Sequence, residues 1–497
     1  EKNRSLLLAR DRLGVKPLFY HFSGARLYFA SEIKALLAHP EVPRELDREA
    51  LAQYLAHLYI PGERTIYSRI RRLPPGHYLD FRGGEPAPVR WWSLPDAPRA
   101  ISESDAEEQL AALVEDAVRM RLVSDAPLGA FLSGGIDSSL VTALMCRAAA
   151  GRVRSFSIRF PQRGFDETPF ARRVADHCGA EHTVFDMDFP GVPEFLPRLV
   201  RAFDQPFADA SAIPAFILAQ EARPHITVAL SGNGGDELFG GYAKYLAGRY
   251  GRALQLAPAP VRRAALAILE RAAPESPDLA DRARRVKRML RYSLTPAAFR
   301  AVSWTSGFDE DMQRALWRAD AQAPIGNLFE PLMRHYRAAS RFGQATRLMI
   351  TDTLAYLPDN NLLKDDITGM ANSLEVRVPL LDFRIAEFAA ALPDRLKVRN
   401  GNLKYILKRV AARYLPRDII ERPKQGFTVP VGHWINRGLA AYADAMLLSG
   451  DSPLWEFFNR AEVEALLARH RAGRADHSMR LWALLALCAW LHERRAA

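Results

Sequence analysis

Within eight positions, Leu132-Ser133-Gly134-Gly135-Ile136-Asp137-Ser138-Ser139 brings together two glycines, three hydroxyls and a carboxylate. Apolar Ala130-Phe131 leads into it, and Ile136, Leu140, Ala143 and Leu144 recur behind it at helical spacing. The pattern predicts a strand, a tight turn and a helix. Glycines let backbone approach an anion without Cβ clashes, while N–H groups and hydroxyls at a helix start donate where the dipole already favours negative charge. Phosphate suits such a loop. GxxxxGK[ST] is absent, and a carboxylate replaces its lysine, which fits magnesium on a departing pyrophosphate better than γ-phosphoryl transfer. A plain glycine-rich turn is the alternative.

A second loop, Ser231-Gly232-Asn233-Gly234-Gly235-Asp236-Glu237-Leu238-Phe239-Gly240-Gly241-Tyr242, follows the apolar run from Ile226 to Leu230 and opens another helical stretch. It is not a dinucleotide fingerprint, because Glu237 stands where GxGxxG needs its last glycine. A flexible surface turn is the competing reading. Asp236 repeats the strand, glycine, acid design of Asp137. In an open parallel sheet, loops at the carboxyl ends of strands meet at one crevice, so the two acids are expected to share a magnesium ion.

The elements that must hold these loops are legible in outline. From about Ser102, apolar runs at LGAFLS, RSFSIRF and ITVALS alternate with helix-forming sequence, which predicts an α/β fold on a parallel sheet. Beyond about residue 245 the chain reads as helical. Residues 1–82 read as short strands (SLLLAR, PLFYHF, RLYFAS) and turns, with helices at EIKALLAH and about 48–58. Between them, residues 83–101 are rich in proline and glycine and are assigned to a linker, leaving 102–497 as the second domain.

Composition narrows the function classes. The 497 residues carry 68 Lys+Arg against 57 Asp+Glu, a formal net charge of +11, yet the arginines are dispersed, so neither a nucleic-acid groove nor a membrane footprint is expected. The densest group, Arg282, Arg284, Arg285, Lys287, Arg288 and Arg291, reads as a solvated helix face. Cys146, Cys178 and Cys488 form no CxxC and no metal-ligand spacing, which fits a reducing cytoplasm without disulfides. The apolar stretch from Leu481 to Leu491 falls short of the ~20 residues a membrane span needs and reads as a buried helix. Glu1-Lys2-Asn3-Arg4 before SLLLARD reads as mid-strand, so the sequence is expected to be a fragment.

Taken in order, SGGIDSSL, SFSIRF, PFADASA, LSGNGGDELFGGY, SLEVRVPLLD and RPKQGF resemble the C-terminal domain of the asparagine synthetase family, over nearly all of 100–497. ARDRLGVKPLFY and LYFASEIKAL resemble the end of that family's N-terminal glutaminase domain, an Ntn-hydrolase fold. The resemblance implies an ATP-pyrophosphatase-type synthetase domain with a helical C-terminal region. It implies aspartate, or another carboxylate, activated by ATP and Mg2+ to an acyl-adenylate that ammonia from glutamine converts to an amide. It assigns Ser133, Gly134, Gly135, Asp137 and Ser138 to pyrophosphate, and Leu132, Ile158, Ser231 and Gly232 to the rest of ATP. Asp137 and Asp236 become magnesium ligands, and Lys424 the catalytic lysine. Ile158 and Leu132 read equally as plain core, and Lys424 alone as a solvated lysine. Lys364-Asp365-Asp366-Ile367-Thr368-Gly369-Met370 resembles K-x-D-R-x-S-M, placing Lys364 and Asp366 at the substrate cleft or in a structural ion pair. Relatives of this type commonly pair as homodimers.

Three departures bear on the assignment. No cysteine precedes Cys146, so the chain as written is expected to lack the glutaminase nucleophile. Asn233 replaces an acidic residue, and an amide cannot act as a base for ammonia. Ile367 and Gly369 replace arginine and serine. The last two leave the acceptor carboxylate open, to a sugar or natural-product precursor for instance, and a tRNA-modifying pyrophosphatase-loop enzyme is the more distant alternative.

Overall fold

The computed structural model describes residues 5–161, 164–187, 192–246, 256–272, 281–294, 307–321, 325–423 and 429–496. Six strands come first: β1 (Leu6–Ala9), β2 (Phe19–Ser23), β3 (Arg26–Ala30), β4 (Arg71–Arg72), β5 (His77–Phe81) and β6 (Val89–Arg90). They form two three-stranded antiparallel sheets, ordered β1-β5-β6 and β3-β2-β4. Val89–Arg90 lies in the stretch whose composition gave no regular pattern, yet Arg90 pairs with His77 and Val89 with Tyr78. Cross-strand bonding to a preformed neighbour overrides a weak local preference. Helices Ile33–Leu37 and Arg48–His57 occupy the expected positions, and Asp47 caps the second by accepting from the N–H groups of Glu49 and Ala50.

The second sheet system has five strands: β7 (Leu128–Phe131), β8 (Arg154–Arg159), β9 (Glu181–Asp186), β10 (Val228–Leu230) and β11 (Glu375–Arg377). Their order is β11-β10-β7-β8-β9, and every neighbouring pair is parallel. Strand alternation sends Ala130, Leu132, Val228 and Leu230 to one face, against helices Glu103–Arg121 and Ile136–Ala148. Phe156, Ala229 and Val376 fill the other, with Leu218 and Ala222 of helix Ala212–Ala222. β9 and β11 escaped the sequence reading. β11 has only three residues, and β9 (EHTVFD) is a partly exposed edge strand without the apolar run that marks a central one.

The chain leaves β7 toward β8 and β9 and later returns to β10 on the opposite side of β7. The gap above the β7–β10 pair is therefore the point where strand order reverses, the usual position for a ligand crevice in an open parallel sheet. Helices dominate from Ala259 onward. The predicted buried helix is Ser478–Ala496, and from Leu481 to Leu491 every residue is at most 4% exposed. It packs into the core that also holds Leu51, Tyr54, Leu55 and Ile60, and Tyr54 Oη donates to Ala483 O at 2.8 Å. Among the described residues, no helix is long and apolar enough to cross a membrane. The cationic cluster 282–291 lies on helix Asp281–Leu294, where Arg291 is exposed but Lys287 is buried, so the run is not a uniformly solvated face.

Lys397 is fully buried and donates to Ala389 O at 2.8 Å. Burial, opposed by Asp394, pulls its amine from 10.5 down to about 7. Between about pH 7 and 10 the unfolded chain therefore binds a proton that the folded chain does not, and stability rises with pH across that window. Lys397→Met is expected to flatten this rise and to stabilise the fold by about 2 kcal/mol near neutrality. Thermal midpoints measured from pH 6 to 10 check it; a substituted protein with an unchanged slope would contradict the assignment.

Candidate active site

The loop after β7 is built by its own polar groups. Ser133 Oγ lies 3.1 Å from Ser138 Oγ, the Ser133 N–H donates to Ser138 Oγ at 3.2 Å, and Ser138 Oγ lies 3.2 Å from Gly135 O. Gly134 takes φ +72°, and a Cβ there would stand 2.6 Å from the Ala171 nitrogen. Glycine alone fits. The loop after β10 meets the first: a Cβ on Gly232 would lie 2.7 Å from the Asp137 carbonyl carbon, and one on Gly235 2.5 Å from its Cγ. Missing side chains thus let two loops close on one carboxylate.

Asp137 and Asp236 come together on the Lys404 ammonium, an ion pair to each, with Asp236 Oδ1 at 2.5 Å. Lys404 is 3% exposed. Burial opposes its charge, but the two carboxylates outweigh that and hold its pKa above the ordinary lysine value. No motif announced Lys404, which follows Gly401-Asn402-Leu403 and takes φ +55° at the start of helix Tyr405–Ala411.

A cavity of about 660 Å³ opens here, lined by Leu132, Ser133, Gly135, Asp137, Ser138, Ile158, Ser231, Gly232 and Asp236. Of the described residues expected at the nucleotide, only Gly134 does not line it; its carbonyl instead accepts from Arg422 Nη1 at 3.1 Å. Arg422 also pairs with Glu167 at 2.6 Å and stacks on Phe170, tying the RPKQGF segment to the first loop. Lys424 lies outside the described residues. Arg422 stood beside it in the same motif, and the motif was the signal for its place.

The PFADASA and KDD segments complete one wall. Lys364 Nζ reaches Asp209 at 2.9 Å and Ser211 at 2.7 Å, and both lysine and aspartate line the cavity. Burial opposes ionisation of Asp209, but Lys364 and Ser211 hold its pKa below the usual range. Asp366 does not border this cleft. It pairs with Lys16 at 2.6 Å and lines a separate pocket with Ile367, while Gly369 stays in the main cavity. Helical geometry explains the correction: 364 and 366 are two positions apart and face different sides. Buried Glu237 accepts from Tyr242 Oη at 2.5 Å and Asn361 Nδ2 at 2.9 Å, and burial with the Asp236 charge pushes its carboxyl up to about 7.

Seven carboxylates and four cationic side chains line the cavity among the described residues. A polyphosphate entering so acidic a space needs added positive charge. Two convergent carboxylates beside room for phosphate oxygens are the donor set magnesium takes, since it is commonly held by one or two carboxylates plus substrate phosphates. The residues therefore fit the ion.

A family model for asparagine synthase matches residues 109–492, and one for a glutamine amidotransferase domain matches 1–92. The chain is 31% identical over 484 residues to asparagine synthetase [glutamine-hydrolyzing] 1 of Bacillus subtilis (strain 168), covering 97% of this chain and 74% of that one. It is 34% identical over 503 residues to a putative asparagine synthetase of Mycobacterium bovis, covering 98% and 74%. Amidase chyE of Penicillium rubens is 27% identical over 485 residues, covering 87% and 69%.

Proposed function

Because this chain belongs to the asparagine synthase family, we propose that it is a ligase that uses ATP to join a carboxylate, aspartate in the first instance, to ammonia. The observation that carries this reading is the convergence of Asp137 and Asp236 from two strand-end loops on one cavity. Residues 102–497 would form the ligase unit and 1–82 the part facing the nitrogen donor, glutamine or ammonia.

In this mechanism a carboxylate oxygen attacks the α-phosphorus of ATP and pyrophosphate leaves. Nitrogen then attacks the acyl carbon and AMP leaves. Ser133 and Ser138 hydroxyls and the Gly135 N–H face the pyrophosphate; Leu132 and Ile158 wall the nucleoside, with Ser231 and Gly232 alongside. Magnesium, held by Asp137 and Asp236, would supply charge neutralisation at the phosphates. Lys404 keeps the two acids at one point before the nucleotide arrives. Lys424 is assigned the α-phosphate by resemblance.

A carboxylate other than aspartate is the second reading, and Gly369 favours it. A Cβ there would lie 2.6 Å from Leu374 O, so the serine of the family pattern does not fit this backbone. Testing a panel of carboxylates with ATP, magnesium and ammonia decides both points. Pyrophosphate and AMP are expected in equal amounts, with label from an oxygen-labelled carboxylate appearing in AMP. ADP and orthophosphate instead would rule the mechanism out.

A further inference from the structure

Amide formation requires that the attacking nitrogen lose a proton, and the residue at 233 is an amide that cannot accept one. Most cavity carboxylates are already engaged: Asp137 and Asp236 with Lys404, Asp209 with Lys364, Glu167 with Arg422, and Glu237 behind Tyr242 and Asn361. Asp365 differs. It lines the cavity, accepts a hydrogen bond from Asn233 Nδ2, and forms no ion pair among the described residues.

Its helix, Leu362–Met370, is a shared wall. Lys364, Asp365, Thr368 and Gly369 face the main cavity, while Leu363, Asp366, Ile367 and Met370 line a second pocket of about 320 Å³ whose other side includes Lys16 and Phe19 of the N-terminal part. Asp365 thus sits on the cavity side of the helix that separates the two spaces. It occupies the free position of the K-x-D-R-x-S-M pattern, directly against Asn233 of the loop after β10.

We infer that Asp365 is the base for amide formation, its carboxylate held toward the cavity by Asn233. The inference rests on the adenylation reading above. The nitrogen lone pair forms the C–N bond, Asp365 takes one N–H proton, and the C–O bond to AMP breaks with its electrons leaving on the phosphate oxygen. Burial pushes the Asp365 carboxyl up to about 6; Lys364 and the Asn233 amide oppose this, and Asp209 and Asp366 add to it. A base of that strength is ionised near neutrality yet still takes a proton usefully.

The test separates two half-reactions in the full chain. With aspartate, or the carboxylate that supports pyrophosphate release, Asp365→Asn is expected to keep ATP–pyrophosphate exchange within about 3-fold while amide formation from ammonia falls about 100-fold. At a constant concentration of free, unprotonated ammonia, its amide rate should also lose the acidic limb of the pH profile. Hydroxylamine, whose nitrogen is more acidic once attached to the acyl carbon and sheds its proton to water more readily, should restore part of the product. The transposed variant, Asn233→Asp with Asp365→Asn, should recover about 10-fold of the lost rate. Amide formation undiminished, or exchange and amide formation falling together, overturns the role of Asp365 and leaves adenylation standing. No exchange in the unsubstituted protein with any carboxylate removes adenylation and this role together.

Discussion

Asp236→Asn is expected to lower carboxylate-dependent pyrophosphate release about 1000-fold, an effect of about 4 kcal/mol. The amide keeps the size of the side chain and can still accept from Lys404, so the loop after β10 should hold its shape. What it loses is one negative charge, at the point where Asp137 and Asp236 converge. A carboxylate is a hard anionic ligand; an amide oxygen is a weaker one, and two ligands of one ion do not compensate for each other. The same loss is expected of Asp137→Asn. Initial rates at saturating ATP across a magnesium titration measure it, with circular dichroism as the control for folding. Release within about 10-fold of the unsubstituted rate would show that the two acids do not act on the metal–nucleotide.

Lys404→Met should act mainly on stability. Without the ammonium, two carboxylates, each 14% exposed, face one another having lost the lysine that pairs with both. Removing one partner of a buried ion pair leaves an uncompensated charge and costs about 3 kcal/mol or more. The thermal midpoint should fall by several degrees. Two reversals identify the cause. Acidification should shrink the deficit, since one carboxyl of a close pair takes a proton readily. Magnesium should raise the midpoint of the variant by more than that of the unsubstituted protein, because a ligand that binds only the folded state stabilises it by about 2.7 kcal/mol at 100 times its dissociation constant. A variant that melts like the unsubstituted protein, or that ignores magnesium, would separate Lys404 from the acids.

Local signals were read well. The strand–loop–helix around Asp137 depends on residues within about ten positions of each other, and propensity, glycine placement and helical spacing all act over that range. The buried C-terminal helix was equally plain, because eleven nearly continuous apolar residues admit few other fates. Where the period was short or the strand lay at an edge, as in β11 and β9, the signal failed. Of Lys364 and Asp366, both expected at the substrate cleft, only Lys364 lines the cavity, because the helix that carries them turns them toward different neighbours, Asp209 and Lys16, and Asp366 stands in the alternative structural ion pair.

By itself, then, the sequence determined which groups each loop carries, hydroxyls, glycine N–H groups and a carboxylate in each, and the parallel sheet that would hold them. Only the tertiary structure decided which charge stands against which. Lys404 is paired with Asp137 across 267 positions, Arg422 with Gly134 across 288, and Asn233 with Asp365 across 132. Contacts of that separation leave no periodicity or spacing in the chain, because strand order and helix rotation, set by burial of the whole core, are what bring such residues within hydrogen-bonding distance.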